Sequence, residues 1–206
     1  MITFMLRNFW ELDMGHSQAE KAQSRERILQ QAAAQIRETG LESVSVVKLM
    51  RSVNLTHGGF YGHFGSRSEL LAHALERALG DGEAAASAAR DSATPTAYST
   101  MVRSYLSRAH RDSRKTGCAI AALASDVARA DELSRGVMEE HVEHFVSKVA
   151  AAMKEQCEER ALLAVSAMVG GLLLSRVMTD PKRSDEMLRS LRHELERFNE
   201  TRATDR

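Results

Sequence analysis

Residues 55–71 read LTHGGFYGHFGSRSELL, and this run decides how the chain is organised. Thr56 caps a short helix expected over about His57–Phe64, because its hydroxyl can accept from an amide left free at a helix start. Gly65 breaks that helix. Ser66-Arg67-Ser68-Glu69 is a capping-box sequence that opens the next one, with Leu70, Leu71, Ala74, Leu75 and Leu79 inward. Upstream, Ser45 can cap a helix whose inward residues are Val46, Leu49, Met50 and Val53. Asn54 ends it, being one of the few residues besides glycine that tolerates positive φ.

Two short helices joined this way form a helix-turn-helix, whose second member enters a DNA major groove. From Ser45 through Arg67 there is no acidic residue, while Lys48, Arg51, His57, His63 and Arg67 are present. A surface that meets phosphates excludes carboxylates, since each uncompensated acid repels the backbone. Gly58 and Gly59 open the second helix at a cost of about 1 kcal/mol each against alanine. That cost makes sense where side chains would keep the backbone from DNA; the other reading is a helical turn in which glycine is merely tolerated.

The pattern resembles the TetR family of one-component transcriptional regulators. Ser45, Leu49-Met50, Asn54-Leu55-Thr56, Gly58, Tyr61-Gly62-His63-Phe64, Ser66 and Leu70-Leu71 match its signature, with Met50 for the usual alanine and Asn54 for the usual turn glycine. The resemblance is strong over residues 20–79; beyond Pro95 it is weaker, although residues 110–129 are similar to a stretch in one subgroup. It implies that Ser45, Thr56, Tyr61 and His63 contact phosphates with Lys48 near them. It also implies that His57, Gly59 and Phe60 face the groove, Phe60 against a thymine methyl and His57 against a base edge. Phe64 is expected in the core. Lys21, Arg25 and Arg27 either reach the flanking backbone or form a solvated face.

The rest of the chain reads as all-α, with about nine helices and no convincing strand. In 206 residues, two prolines and 5% aromatics argue against a β-sandwich or barrel, and 43% hydrophobic with 27% charged residues against global disorder. The formal net charge of +0 excludes a wholesale polycation but not a local basic surface. The first helix, from Glu20 to Thr39, turns Ile28, Leu29, Ala32, Ala33 and Ile36 inward and ends at Gly40, where a left-handed residue suits a helix C-terminus. Gly80 and Gly82 close the fourth. Thr94-Pro95 starts a fifth through about Arg111, and Asp112 to Gly117 is a loop. Later helices are expected over Cys118 to about Ala130, Leu133–Gln156, Glu159 to about Thr179, and Ser184–Asn199, with Asp180-Pro181 between the last two. The expected domains are an N-terminal arm (1–18), disordered or frayed; a helix-turn-helix domain with its connecting fourth helix (19–82); a linker (83–94); and a ligand-binding and dimerisation domain (95–206).

The eighth helix is apolar nearly all round and the ninth amphipathic, with Met187, Leu188, Leu191, Leu195 and Phe198 on one face. Packing both against a second copy makes a homodimer, the family's usual one, with Gly170 and Gly171 allowing close approach; an ordinary monomeric core is the alternative. The resemblance implies a double-stranded DNA operator as partner, repression, and a small-molecule inducer held by the middle helices. Tyr98, Met101, Tyr105, Met138, His141, Phe145 and Met168 are candidates for the pocket, or else plain core. Cys118 follows Gly117 at a helix start near Arg114 and Lys115, surroundings that favour a thiolate, so it is either an oxidant- or electrophile-sensing thiol or an inert apolar residue. His141 and His144 lack an identifiable third ligand, so no metal is expected. No cofactor is expected, and no phosphate loop, nucleophile elbow or His-Glu-x-x-His helix marks an enzyme. Two cysteines and no Cys-x-x-Cys pair make a reducing cytoplasmic compartment the default, and the longest apolar run, Ala161 to Leu174, is too short to span a bilayer. A helical small-molecule-binding or adaptor protein without DNA binding is the competing function.

Overall fold

The computed structural model describes the backbone of residues 3–88 and 97–200, and the side chains of 18–82 and 97–200. Among the described residues the fold is all-α, as expected. α1 (Thr3–Thr39) is followed by a 3-10 turn at Leu41–Ser43, α2 (Val46–Ser52), a 3-10 helix at Gly58–Gly62 and α3 (Arg67–Ala88). Then come α4 (Ala97–Tyr105), α5 (Arg108–Asp112), α6 (Ala119–Val127), α7 (Glu132–Ala152), α8 (Glu158–Val177) and α9 (Pro181–Glu200).

The inward face expected of α1 is buried at all five positions. Its backbone is helical from Thr3, where an arm over 1–18 was expected; no proline interrupts the stretch and Gly15 alone does not stop a helix. Gly40 ends α1 at φ 86, and Asn54 turns the chain at φ 60. Ser45 stands at the N-cap of α2 in extended conformation, without a side-chain cap bond. Thr56 Oγ1 does accept from the Gly59 amide at 3.2 Å. The helix expected over 57–64 is a five-residue 3-10 helix, because three glycines within it leave little propensity for a longer one. Ser66 Oγ accepts from the Glu69 amide at 3.1 Å, while the Glu69 carboxylate reaches past the cap to the Gly65 amide at 2.7 Å.

Four boundaries depart from expectation. α3 runs through Gly80 and Gly82 to Ala88, so part of the expected 83–94 linker is helix; the remainder, with Thr94-Pro95, lies outside the described residues. Gly82 faces the Gly117 carbonyl, which a Cβ there would approach to 3.4 Å, and this crossing with the α6 start holds the helix end in place. The single fifth helix is two, since Ser107 leaves helical conformation and its Oγ caps α5 by accepting from the His110 amide at 3.1 Å. α7 ends at Ala152 rather than Gln156. Pro181 does not merely stop α8; it opens α9, with the Asp180 carboxylate accepting from the Lys182 amide at 2.9 Å.

Two apolar cores form. The first joins α1, α2, the 3-10 helix and α3 with Ala119, Leu123, Val127 and Met138, so α6 and α7 are built into the base of the helix-turn-helix unit. The second packs α4 against α7, α8 and α9. At 20 residues and mean hydropathy 1.5, α8 is long and apolar enough to cross a bilayer by length and composition, longer than the run singled out in the sequence. One side of it, with Ala161, Ala164, Val165, Met168 and Leu172, is buried in the second core. On the rest, Leu162, Leu163, Leu173, Leu174 and Val177 are exposed.

Candidate nucleic-acid interface and ligand cavity

The 3-10 helix sorts its side chains sharply. Tyr61 is 67% exposed and Phe60 only 2%. The groove-facing position expected for Phe60 is therefore corrected: its ring stacks on Phe64, centroids 5.7 Å apart, inside the first core. An aromatic ring this size gains more from burial than from a solvated groove position. Phe64 is in the core as expected. His57 lies edge-on to Tyr61 at 6.2 Å, and both face outward with Thr56, Gly58 and Gly59. A Cβ on Gly58 or Gly62 would meet nothing within 4 Å, and neither has positive φ, so the fold itself does not demand glycine there.

Ser45 is half-buried and Lys48 exposed on the adjoining helix. His63 is half-buried, its Nδ1 enclosed without a hydrogen-bond partner. Burial first, then Lys21 and Arg25, hold its pKa below the ordinary imidazole value, so it is a neutral ring at neutral pH. Arg25 stands over the Phe64 ring at 4.7 Å. Arg67 is a clamp rather than an outward charge: it donates to the carbonyls of Val44 and Leu41, each at 3.3 Å, and pairs with Glu42 at 3.2 Å.

A cavity of about 310 Å³ opens between α3, α4, α6 and α7. Met101, Tyr105, His141 and Phe145 line it, as does Cys118. The other three pocket candidates do not. Met138 is packed into the first core, and Tyr98 and Met168 into the second. Burial without a partner pushes the Tyr98 phenol up to about 12, so its hydroxyl stays protonated in the interior.

Cys118 sits at the N-cap of α6, held by two residues from separate elements, with an arginine from a third behind them. The Tyr105 hydroxyl donates to Sγ at 3.0 Å, and burial raises that phenol's pKa well above its usual range, keeping it a donor. His110 Nδ1 donates to the Tyr105 carbonyl at 2.6 Å, so its Nε2 is free to accept from the Cys118 amide at 2.9 Å. Burial lowers the His110 pKa and leaves the imidazole neutral. From α8, Arg176 donates to the carbonyls of Arg111 and His110 at 3.0 and 3.2 Å and interacts electrostatically with the thiol. Lys115, expected beside the thiol, pairs instead with Glu38 at 3.4 Å. His110 lies within a stretch whose resemblance was noted, yet nothing in its spacing marked it; Arg176 had no signal at all. His144 and Lys148 also line the cavity. Among the described residues no group of three or more His, Cys, Asp or Glu could hold a metal.

Residues 28–74 match the sequence profile of the bacterial regulatory proteins of the tetR family. No curated protein matches the chain in sequence. Among solved structures, a TetR-family transcriptional regulator from Cytophaga hutchinsonii superposes with a TM-score of 0.73 at 18% identity, over 86% of this chain and 95% of that one. The reduced form of NemR from E. coli gives 0.70 at 16% identity, over 85% and 96%. A TetR-family transcriptional regulator from Streptomyces coelicolor gives 0.67 at 20%, over 87% and 95%. The matched segment contains the helix-turn-helix with its exposed Tyr61 face, and 85–87% of the chain shares the regulators' helical fold. Residues 28–74 thus carry the sequence pattern of the tetR family of bacterial regulatory proteins, on a chain similar in fold to its members.

Proposed function

We propose that the chain is a transcriptional repressor that binds a palindromic operator as a homodimer and leaves it when a small molecule or electrophile occupies the cavity beside Cys118. The observation that carries this is the acid-free, outward face of the 3-10 helix, whose glycines no contact within the chain requires. In this reading Ser45, Thr56, Tyr61 and His63 contact phosphates with Lys48 beside them, and His57 and Gly59 face the bases. Phe60 supports them from behind. A single unit of this size reads few base pairs, so two must act together. The exposed leucines of α8 supply the means, since burying each contributes about 1.5–3 kcal/mol. Gly171 serves packing inside the subunit, where a Cβ would run into Leu191, while Gly170 faces open space and suits a second copy. The helix-turn-helix domain is 19–82 and the ligand-binding and dimerisation domain 95–206, in a cytoplasmic protein.

Cys118 gives the inducer site its chemistry. An α,β-unsaturated carbonyl entering the cavity forms an Sγ–C bond as its C=C π bond breaks, and the thiol proton ends on the neighbouring carbon. A disulfide with Cys157 of the same chain is out of reach. Arg176 lies against Gly117, while Cys157 is at the opposite end of α8, about 28 Å away along the axis at 1.5 Å per residue. N-ethylmaleimide, which adds to the thiol without a second cysteine, is expected to release the wild-type protein from the DNA upstream of its own gene and to leave Cys118→Ser bound. Equal release of both proteins would remove Cys118 from the response.

A further inference from the structure

α6 touches both ends of the regulatory problem. Its first turn carries Cys118 into the cavity. Its last turn carries Asp126, whose Oδ2 accepts a hydrogen bond from the Leu41 amide at 3.1 Å. The helix between them has nine residues and is about 13 Å long, short enough to move as one rigid body.

Leu41 begins the 3-10 turn between α1 and α2. Its amide comes just past the end of α1, where the intrahelical ladder has stopped; the last rung is Gly40 N to the Ile36 carbonyl at 2.8 Å. Asp126 supplies the acceptor from outside. On the other side of the same residue, Arg67 at the start of α3 holds the Leu41 carbonyl at 3.3 Å. The turn is therefore gripped from the helix-turn-helix unit by Arg67 and from the cavity side by Asp126. Four residues after Leu41 comes Ser45, the N-cap of α2. The approach is close: Gly40 has φ 86, and a Cβ on it would stand 2.5 Å from Asp126 Oδ2. α6 also contributes Ala119, Leu123 and Val127 to the first core, so a shift of this helix is felt in that core along its length.

We infer that Asp126 is the coupling residue of this protein: occupation of the cavity displaces α6, and the Asp126–Leu41 hydrogen bond carries that displacement directly into the turn that positions α2. This rests on the cavity being the effector site, and it assigns a route that does not pass along α3. Asp126 is a positioning residue that touches neither DNA nor ligand.

The test fills the cavity without relying on any particular ligand. Cys118→Trp is made in the full-length chain, alone and with Asp126→Ala, and backbone amide exchange is measured across residues 41–45. Cys118→Met is the smaller filler should tryptophan disturb folding. Asp126→Ala removes the Leu41 bond and an ion pair with the exposed Arg129 at 3.2 Å from a side chain that is 34% exposed, so the fold is retained. Filling the cavity is expected to speed exchange of these amides about 10-fold in the wild-type background and less than about 2-fold on top of Asp126→Ala. Asp126→Asn, whose amide oxygen can still accept from Leu41, should restore the wild-type response. Equal acceleration in both backgrounds, or none in a well-folded filled protein, overturns the assignment. Because exchange is read without DNA, failure of the repressor reading and failure of this one are separable: the first appears as absent operator binding, the second in residues 41–45 alone.

Discussion

Phe60→Ala should destabilise the helix-turn-helix end of the molecule by about 3–5 kcal/mol, the cost of emptying a fully packed aromatic site. Phe60 is 2% exposed, stacks on Phe64 and meets Tyr61 edge-on at 5.2 Å. Removing it leaves a void where the 3-10 helix rests on α1 and α3, and a five-residue helix has few other contacts to keep it in place. Tyr61→Ala should do the opposite. With the side chain mostly in solvent, its stability cost stays within about 0.5 kcal/mol while DNA affinity falls. Urea unfolding of the two variants beside the wild type makes the comparison. A Phe60→Ala protein as stable as the wild type but deficient in DNA binding would return Phe60 to the groove.

Leu163→Glu with Leu174→Glu should yield a folded monomer whose operator affinity is lower by about 100-fold or more, because two tethered reading heads gain that much over one. Both leucines point away from the second core, Leu163 57% and Leu174 52% exposed. Their replacement leaves the subunit's own packing alone. In the assembled state, four carboxylates would be buried against apolar partners without compensation, a penalty large enough to prevent assembly. Light scattering decides the first half: the wild type should have twice the mass of the 206-residue chain and the variant the mass of one. A monomeric wild type, or a variant that still pairs, would show that this face has another use.

The elements that were legible in the sequence are those fixed by local chemistry. The α1 face from Ile28 to Ile36, the positive φ of Asn54 and the Thr56 cap each depend on residues within one or two turns. Where tertiary contact decides, local rules lose. Glycine in a helix costs only about 1 kcal/mol, and Gly80 and Gly82 are carried through because α3 packs onto α7 and the Gly117 crossing. Phe60 and Tyr61 are adjacent aromatics in a helix too short to show a period, so composition alone could not tell which ring turns inward. The surroundings of Cys118 were least legible. Tyr105, His110 and Arg176 come from α4, α5 and α8, and nothing in their spacing says that they converge. The same holds for Asp126, whose partner Leu41 is 85 residues away.

The account stands on the outward face of the 3-10 helix reading duplex DNA, and the direct measurement is the affinity of the full-length protein for two duplexes of equal length at one salt concentration. One is the DNA upstream of its own gene; the other is a scrambled sequence of the same base composition. The expected result is tighter binding to the first by about 1,000-fold or more, with binding lost on Tyr61→Ala and Thr56→Ala. Equal affinity for the two duplexes would contradict it.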